Sequence, residues 1–306
     1  MKKNITYLCM AAAALLVSSC TQNEEITPTI ENEGRVPVLF TAKNSAVLET
    51  RADSEGWGYG HKMGISMLST DGSTIHTSNA QYKNETSEEE TSLVPVFDNN
   101  TIYYPTDGSD VKFNAYIPYE AASNGTITWT FADRDGEDFY TATTEGDGQT
   151  YNESTGAEQA VSLTFRHRLS QIIIKVDSKD YDVKKALSGT LSNHPLSFTY
   201  NVATGEITQG KKDELKNGFT TNKGEVRFTI LPEGITQPET ITIPVTEDVS
   251  FKATLPYPEG GFKAGVLYNY KTTLTATKTP GTFKATVEAW GEEEMGTIEA
   301  TEKISE

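Results

Sequence analysis

The chain has 306 residues and carries 43 Asp and Glu against 26 Lys and Arg, a formal charge of −17 at pH 7. A surface this acidic repels phosphate backbones and anionic head groups, which excludes nucleic acid as a partner. The two cysteines, Cys9 and Cys20, are too few for a disulfide framework, so stability has to come from core burial.

In chain order, the first segment is MKKNITYLCMAAAALLVSSC. Lys2 and Lys3 form a positive n-region, and Ile5 to Val17 is an apolar stretch too short to span a bilayer. Residues 1–19 read as a signal peptide. Val17-Ser18-Ser19-Cys20 follows the lipobox pattern: an aliphatic residue, two small residues, then a thiol that takes a diacylglyceryl group. Cys20 is therefore the expected lipidation site and new N-terminus, and loss of Lys2 and Lys3 takes the charge from −17 to −19. The polar run TQNEEITPT that follows suits a tether. The outer membrane is then a partner through lipid, each buried CH₂ being worth about 0.8 kcal/mol. The acidic pair Glu24-Glu25 resembles the surface-export signal of some Gram-negative lipoproteins.

Strand signals dominate the rest. VPVLFTA (36–42) alternates, with Val36, Val38 and Phe40 on one face. KMGISML (62–68), VKFNAYIPY (111–119), TITWTF (126–131), DFYTATT (138–144) and VSLTF (161–165) follow. LSQIIIKV (169–176), LSFTYNV (196–202), VRFTIL (226–231), TITIPV (240–245), VSFKATL (249–255), VLYNYKTTLTAT (266–277) and TFKATVEAW (282–290) complete the series. These runs are rich in Thr, Val, Ile, Tyr and Phe, as half-buried pleated surfaces favour. Turn clusters such as TDGSD, SNGT and KTPG separate them. Polar stretches at 84–92 and 144–158 read as long loops, and Lys211 to Phe219 has room for a helical turn or two. The prediction is an all-β chain of two β-sandwich domains in tandem, with a break near Phe165 to Arg168.

No constellation in the chain points to catalysis. Asp133, Asp135, Glu137 and Asp138 in ADRDGEDF are spaced as an acidic turn rather than a calcium loop. His61, His76, His167 and His194 have no paired metal spacing, and no nucleophile or phosphate-loop motif occurs. No metal or cofactor is expected. Trp57, Trp129 and Trp290 read as packing residues. Arg51 sits in LETRADSEGW, a polar stretch between an apolar run and Trp57. It is either a solvated charge or a cleavage site ahead of Ala52.

Several segments, in order, resemble the fimbrillin family, subunits of type V pili. They are the lipobox, VPVLF followed by Thr50-Arg51-Ala52, then Trp57 and GHKMGISML. FNAYIPY (113–119), LTFRHRLSQIIIKV (163–176), YNYKTTLTAT (268–277) and a closing strand ending Trp290-Gly291 continue the match. The sequence departs from the family at Gly60-His61, where Gly-Asp is common, and in the acidic stretch 292–306, whose only large apolar residues are Met295, Ile298 and Ile304. The resemblance implies two sandwich domains of transthyretin-like topology, lipoprotein export, arginine-specific proteolysis and assembly with other fimbrial subunits by donor-strand exchange. On that basis the chain divides into a signal peptide 1–19, a tether with removable first strand 20–51, sandwich domains 52–166 and 167–291, and an acidic tail 292–306. Val36, Val38 and Phe40 mark the replaceable strand, and Arg51-Ala52 the processing site. The expected function is a fimbrial structural, tip or accessory subunit, with a host or bacterial surface ligand as a further partner. The alternative is a monomeric surface lipoprotein that binds glycan or another ligand.

Overall fold

A computed structural model describes residues 34–44, 60–86, 90–134, 136–157, 159–183, 187–216, 219–221, 224–233, 235–247, 249–274, 281–285 and 297–304. Of 44, 219–221, 281–285 and 297–304 it describes the backbone alone. The chain is all-β. Its strands are β1 (Phe40–Asn44), β2 (Lys62–Ser69), β3 (Ile75–Asn84), β4 (Glu90–Pro95), β5 (Val111–Ile117), β6 (Thr126–Thr130), β7 (Tyr140–Thr143) and β8 (Val161–His167). Then come β9 (Ser170–Ser178), β10 (Thr190–Pro195), β11 (Ser197–Asn201), β12 (Ile207–Gln209), β13 (Lys212–Lys216), β14 (Phe219–Thr221) and β15 (Glu225–Ile230). The last are β16 (Thr240–Pro244), β17 (Val249–Thr254), β18 (Leu267–Leu274), β19 (Gly281–Ala285) and β20 (Thr297–Ile304).

Two hydrophobic cores follow one another along the chain. The first fills a closed barrel in the order β1-β4-β3-β2-β5-β7-β8. The period-2 pattern seen in the sequence sets which side chains enter it. In β8, Val161, Leu163 and Phe165 point inward and Ser162, Thr164 and Arg166 outward. The second core lies within a ten-stranded sheet, β13-β10-β16-β17-β20-β19-β18-β9-β15-β14, and a three-stranded sheet, β12-β11-β6. The large sheet curls until its wings face one another. A Cβ added at Gly189 would lie 2.7 Å from Val226 Cγ1 on one wing and 3.4 Å from the Thr242 carbonyl on the other.

The chain passes from the strands of the first core to those of the second between His167 and Ser170. One element does not respect that order. β6 leaves the barrel and pairs with β11, Trp129 opposite Phe198. Ile127, Trp129 and Phe131 therefore serve the second core, as do Tyr116 of β5 and Phe139 just ahead of β7.

Two stretches differ from the sequence reading. Of the stretch Lys211 to Phe219, where the sequence left room for a helical turn, Lys212–Lys216 forms β13, an edge strand on β10 with only Leu215 buried. Good helix formers are overridden here by an open ladder position, and the charges that remain outward protect the edge. The polar stretch 84–92 is partly strand, since β3 runs through Asn84 and β4 begins at Glu90. Within 292–306, Thr297–Ile304 forms β20 and pairs antiparallel with both β17 and β19.

Candidate strand-replacement site

The sequence singled out Val36, Val38 and Phe40, and the structure brings them together on one wall of the barrel. Cys20, Arg51 and Ala52 lie outside the described residues. From residue 36 the chain runs extended beside Thr101 to Tyr104. Tyr104 N–H donates to the Val36 carbonyl at 3.0 Å, and Val38 N–H donates to the Ile102 carbonyl at 2.8 Å. Both contacts leave on the same side, so Pro37 sits where its missing N–H costs this ladder nothing. Arg35, at the entry, lies with its guanidinium 4.8 Å from the Tyr103 ring centre.

β1 then slots between two strands distant in sequence. It is antiparallel to β4, with Phe40 opposite Leu93 and Lys43 opposite Glu90. On its other edge it is parallel to β8, with Phe40 opposite Val161 and Asn44 opposite Phe165. Val161 N–H donates to the Leu39 carbonyl at 2.7 Å. β1 is thus the strand that closes the barrel, and both of its backbone edges are used.

Burial alternates along it as the sequence predicts. Val36 is half-buried, while Val38, Phe40 and Ala42 are buried. Leu39 between them is 59% exposed. Phe40 supplies the main contact. Its ring stands edge-on to Tyr82, with centres 5.3 Å apart, and to Phe113, with centres 5.1 Å apart. Tyr104 and Tyr151 back Phe113 at 6.4 and 5.9 Å. Burial pushes the Tyr82 and Tyr104 hydroxyls up to about 12, and raises that of Tyr151 further with help from Asp147. Lys43 and Glu90 pair at 3.1 Å on the outside, where an ion pair is worth little.

Sequence reading overlooked Ala42, which continues the same inward face with no exposed surface. It also overlooked Ile102, Tyr104, Leu93 and Tyr82, which form the slot. The alternation of VPVLFTA was signal enough for Ala42; the others carry no mark that ties them to residue 40.

The remaining candidates do not converge on chemistry. His61 and His76 are exposed. His167 Nδ1 contacts the Asp138 carboxylate in the buried seam where β8 ends, and Gly265 packs on its ring. His194 Nδ1 lies 2.8 Å from Glu239 Oε1 inside the second core, with Phe131 edge-on to the ring. Arg134 binds Glu120 and Glu137 and lies over the buried Trp129, which accounts for part of the acidic ADRDGEDF stretch. Among the described residues, no group of three or more His, Cys, Asp or Glu could hold a metal, and no helix is long and apolar enough to cross a membrane.

A family profile described as fimbrillin-like matches residues 50–290. A Bacteroides uniformis protein described as fimbrium subunit Fim1C is 28% identical over 307 aligned residues, covering 95% of this chain and 96% of that protein. Among solved structures, one described as a Bacteroides uniformis cell adhesion protein superposes with a TM-score of 0.60 at 23% identity, covering 89% of this chain and 98% of that one. One described as a Bacteroides ovatus cell adhesion protein gives 0.57 at 21% identity, over 84% of this chain and 99% of the other. These two likenesses bear on the all-β fold.

Proposed function

The chain belongs to the fimbrillin-like family, and on that premise we propose that it is a fimbrial subunit completed, before assembly, by its own first strand. In this proposal residues 1–19 are removed, Cys20 is acylated and anchors the chain to the outer membrane, and 20–51 carry the tether and the strand. A protease cuts between Arg51 and Ala52. The freed strand then gives way to one from another subunit, and the chain becomes a structural part of a fimbrium without catalysing a reaction. The division into sandwich domains 52–166 and 167–291 belongs to the same proposal.

The observation that carries it is the position of β1. A strand at one end of the chain closes the barrel and holds both neighbours. Its removal opens a slot bordered by the unpaired edges of β4 and β8, which invite another strand. While in place it is well held. Burial of side chains the size of Val38 and Phe40 is worth about 1.5–3 kcal/mol each, against a domain stability of about 5–15 kcal/mol. Severing the covalent link lets the strand leave with a gain in entropy and makes exchange feasible. A cut after Arg51 falls beyond Asn44, so the whole strand goes with the leaving fragment. A cut after Arg35 would leave it attached.

The test compares wild type with Arg51→Ala after limited arginine-specific digestion. Wild type should shed residues up to 51 and take up an added donor-strand peptide, and Arg51→Ala should do neither. Equal behaviour of the two would reduce Arg51 to a surface charge and remove the mechanism.

A further inference from the structure

Given the strand-exchange reading, on which this inference rests, the walls of the slot define which strands can enter it. We propose that the slot admits strands with an aromatic residue at the position of Phe40 and Ala, Gly or Ser at the position of Ala42, and that Tyr82 and Phe113 set the aromatic preference.

The present occupant shows what the slot accepts. Only Val38, Phe40 and Ala42 of residues 38–43 turn their side chains into the barrel. The Phe40 recess is built from rings. Tyr82 and Phe113 meet Phe40 at interplanar angles of 79° and 89°. In that arrangement the electron-rich face of one ring meets the electron-poor edge of another, a match that an aliphatic side chain cannot make.

The recess is also held open from behind. The Tyr82 hydroxyl accepts the Ile102 N–H at 2.9 Å, which fixes that ring. The Tyr104 ring is seated against Gly156, where a Cβ would fall 1.9 Å from its Cε2. Tyr104 stands edge-on to Phe113 in turn. Walls tied in this way cannot close around a smaller side chain, so a leucine in place of Phe40 leaves a void as well as two unmatched ring faces.

At Ala42 the restriction is the reverse. Its ladder neighbours are Thr91 and Leu163, both buried, and Ala42 itself has no exposed surface. Extra methylenes there would have to displace packed atoms. Thr41 and Lys43 face outward, and the slot imposes no comparable demand on them.

The experiment uses the full chain after arginine-specific cleavage and removal of the leaving fragment. The probes are labelled synthetic peptides of residues 36–44, VPVLFTAKN, read by fluorescence anisotropy. The parent peptide should bind. Its Phe40→Leu version should bind about tenfold or more weakly, and Ala42→Leu at least as weakly. Thr41→Val should stay within about twofold. Phe113→Leu in the protein should narrow the gap between the parent and Phe40→Leu peptides, with native folding checked by circular dichroism of the uncut variant. Equal binding of parent, Phe40→Leu and Ala42→Leu peptides would overturn the selectivity while leaving strand exchange intact. Failure of the parent peptide itself to bind would overturn strand exchange, and the selectivity with it.

Discussion

Replacing Phe40 with alanine should cost the uncut protein far more than any exposed change on the same strand. Phe40 is 2% exposed and makes two edge-on ring contacts, to Tyr82 and Phe113. Truncation removes those contacts and leaves a cavity that the fixed rings cannot fill. Buried Phe→Ala changes cost about 3–5 kcal/mol. The barrel has about 5–15 kcal/mol in total, so the loss is a large part of it. The internal control is Leu39→Ala, next in sequence but 59% exposed, which should stay within about 0.5 kcal/mol of wild type. Urea unfolding followed by near-ultraviolet circular dichroism of the aromatic cluster reads the difference. With a slope of about 2 kcal/mol/M, the midpoint of Phe40→Ala should fall by about 1.5–2.5 M, and that of Leu39→Ala by less than about 0.3 M. Equal midpoints for the two variants would mean that β1 is not part of the barrel core, and the argument for an exchangeable strand would lose its basis.

Three further outcomes follow from particular residues. In an Arg51→Ala background, the bond after Arg35 should resist arginine-specific protease, because Val36 and Val38 are tied to Tyr104 and Ile102 and the guanidinium lies on Tyr103; Tyr103→Ala should speed cleavage there, as read by mass spectrometry. Tyr104 has its hydroxyl pKa raised by burial to about 12, so the stability it contributes is fully present below its ordinary value near 10 and is lost as pH rises toward 12. Tyr104→Phe removes a buried hydroxyl that has no hydrogen-bond partner among the described residues, and should leave stability at pH 7 unchanged while flattening the loss between about pH 10 and 12 in alkaline unfolding. Cys20→Ala should abolish incorporation of labelled palmitate and leave an unprocessed precursor on a gel; a labelled variant would move the anchor elsewhere.

Much of the fold was legible because strands announce themselves by alternation. Val38, Phe40 and Ala42 face one way and Leu39 the other, in the sequence as in the structure. The same regularity marks β8, and the all-β class follows from runs of this kind. Stretches that lack a clean apolar face were missed. IHTSNAQYKN pairs along β3 although Ile75, His76 and Ser78 are exposed and most of its residues are polar, and KDELK became an edge strand although its residues favour helix. In both, a neighbouring strand offered hydrogen bonds that local preference could not anticipate.

By itself the sequence determined that the chain is built of strands, which face of each is apolar, and that a strand rich in buried side chains lies just ahead of an arginine. Only the tertiary structure decided that this strand sits between β4 and β8, that it closes the barrel, that residues 101–104 clamp its start, and that β6 leaves the barrel to pair with β11. The reason is physical. Side chains record which face of a strand is buried, because burial depends on their chemistry. Pairing along strand edges uses backbone N–H and C=O groups, which nearly every residue carries alike, so the identity of a strand's neighbours is settled when the two cores pack.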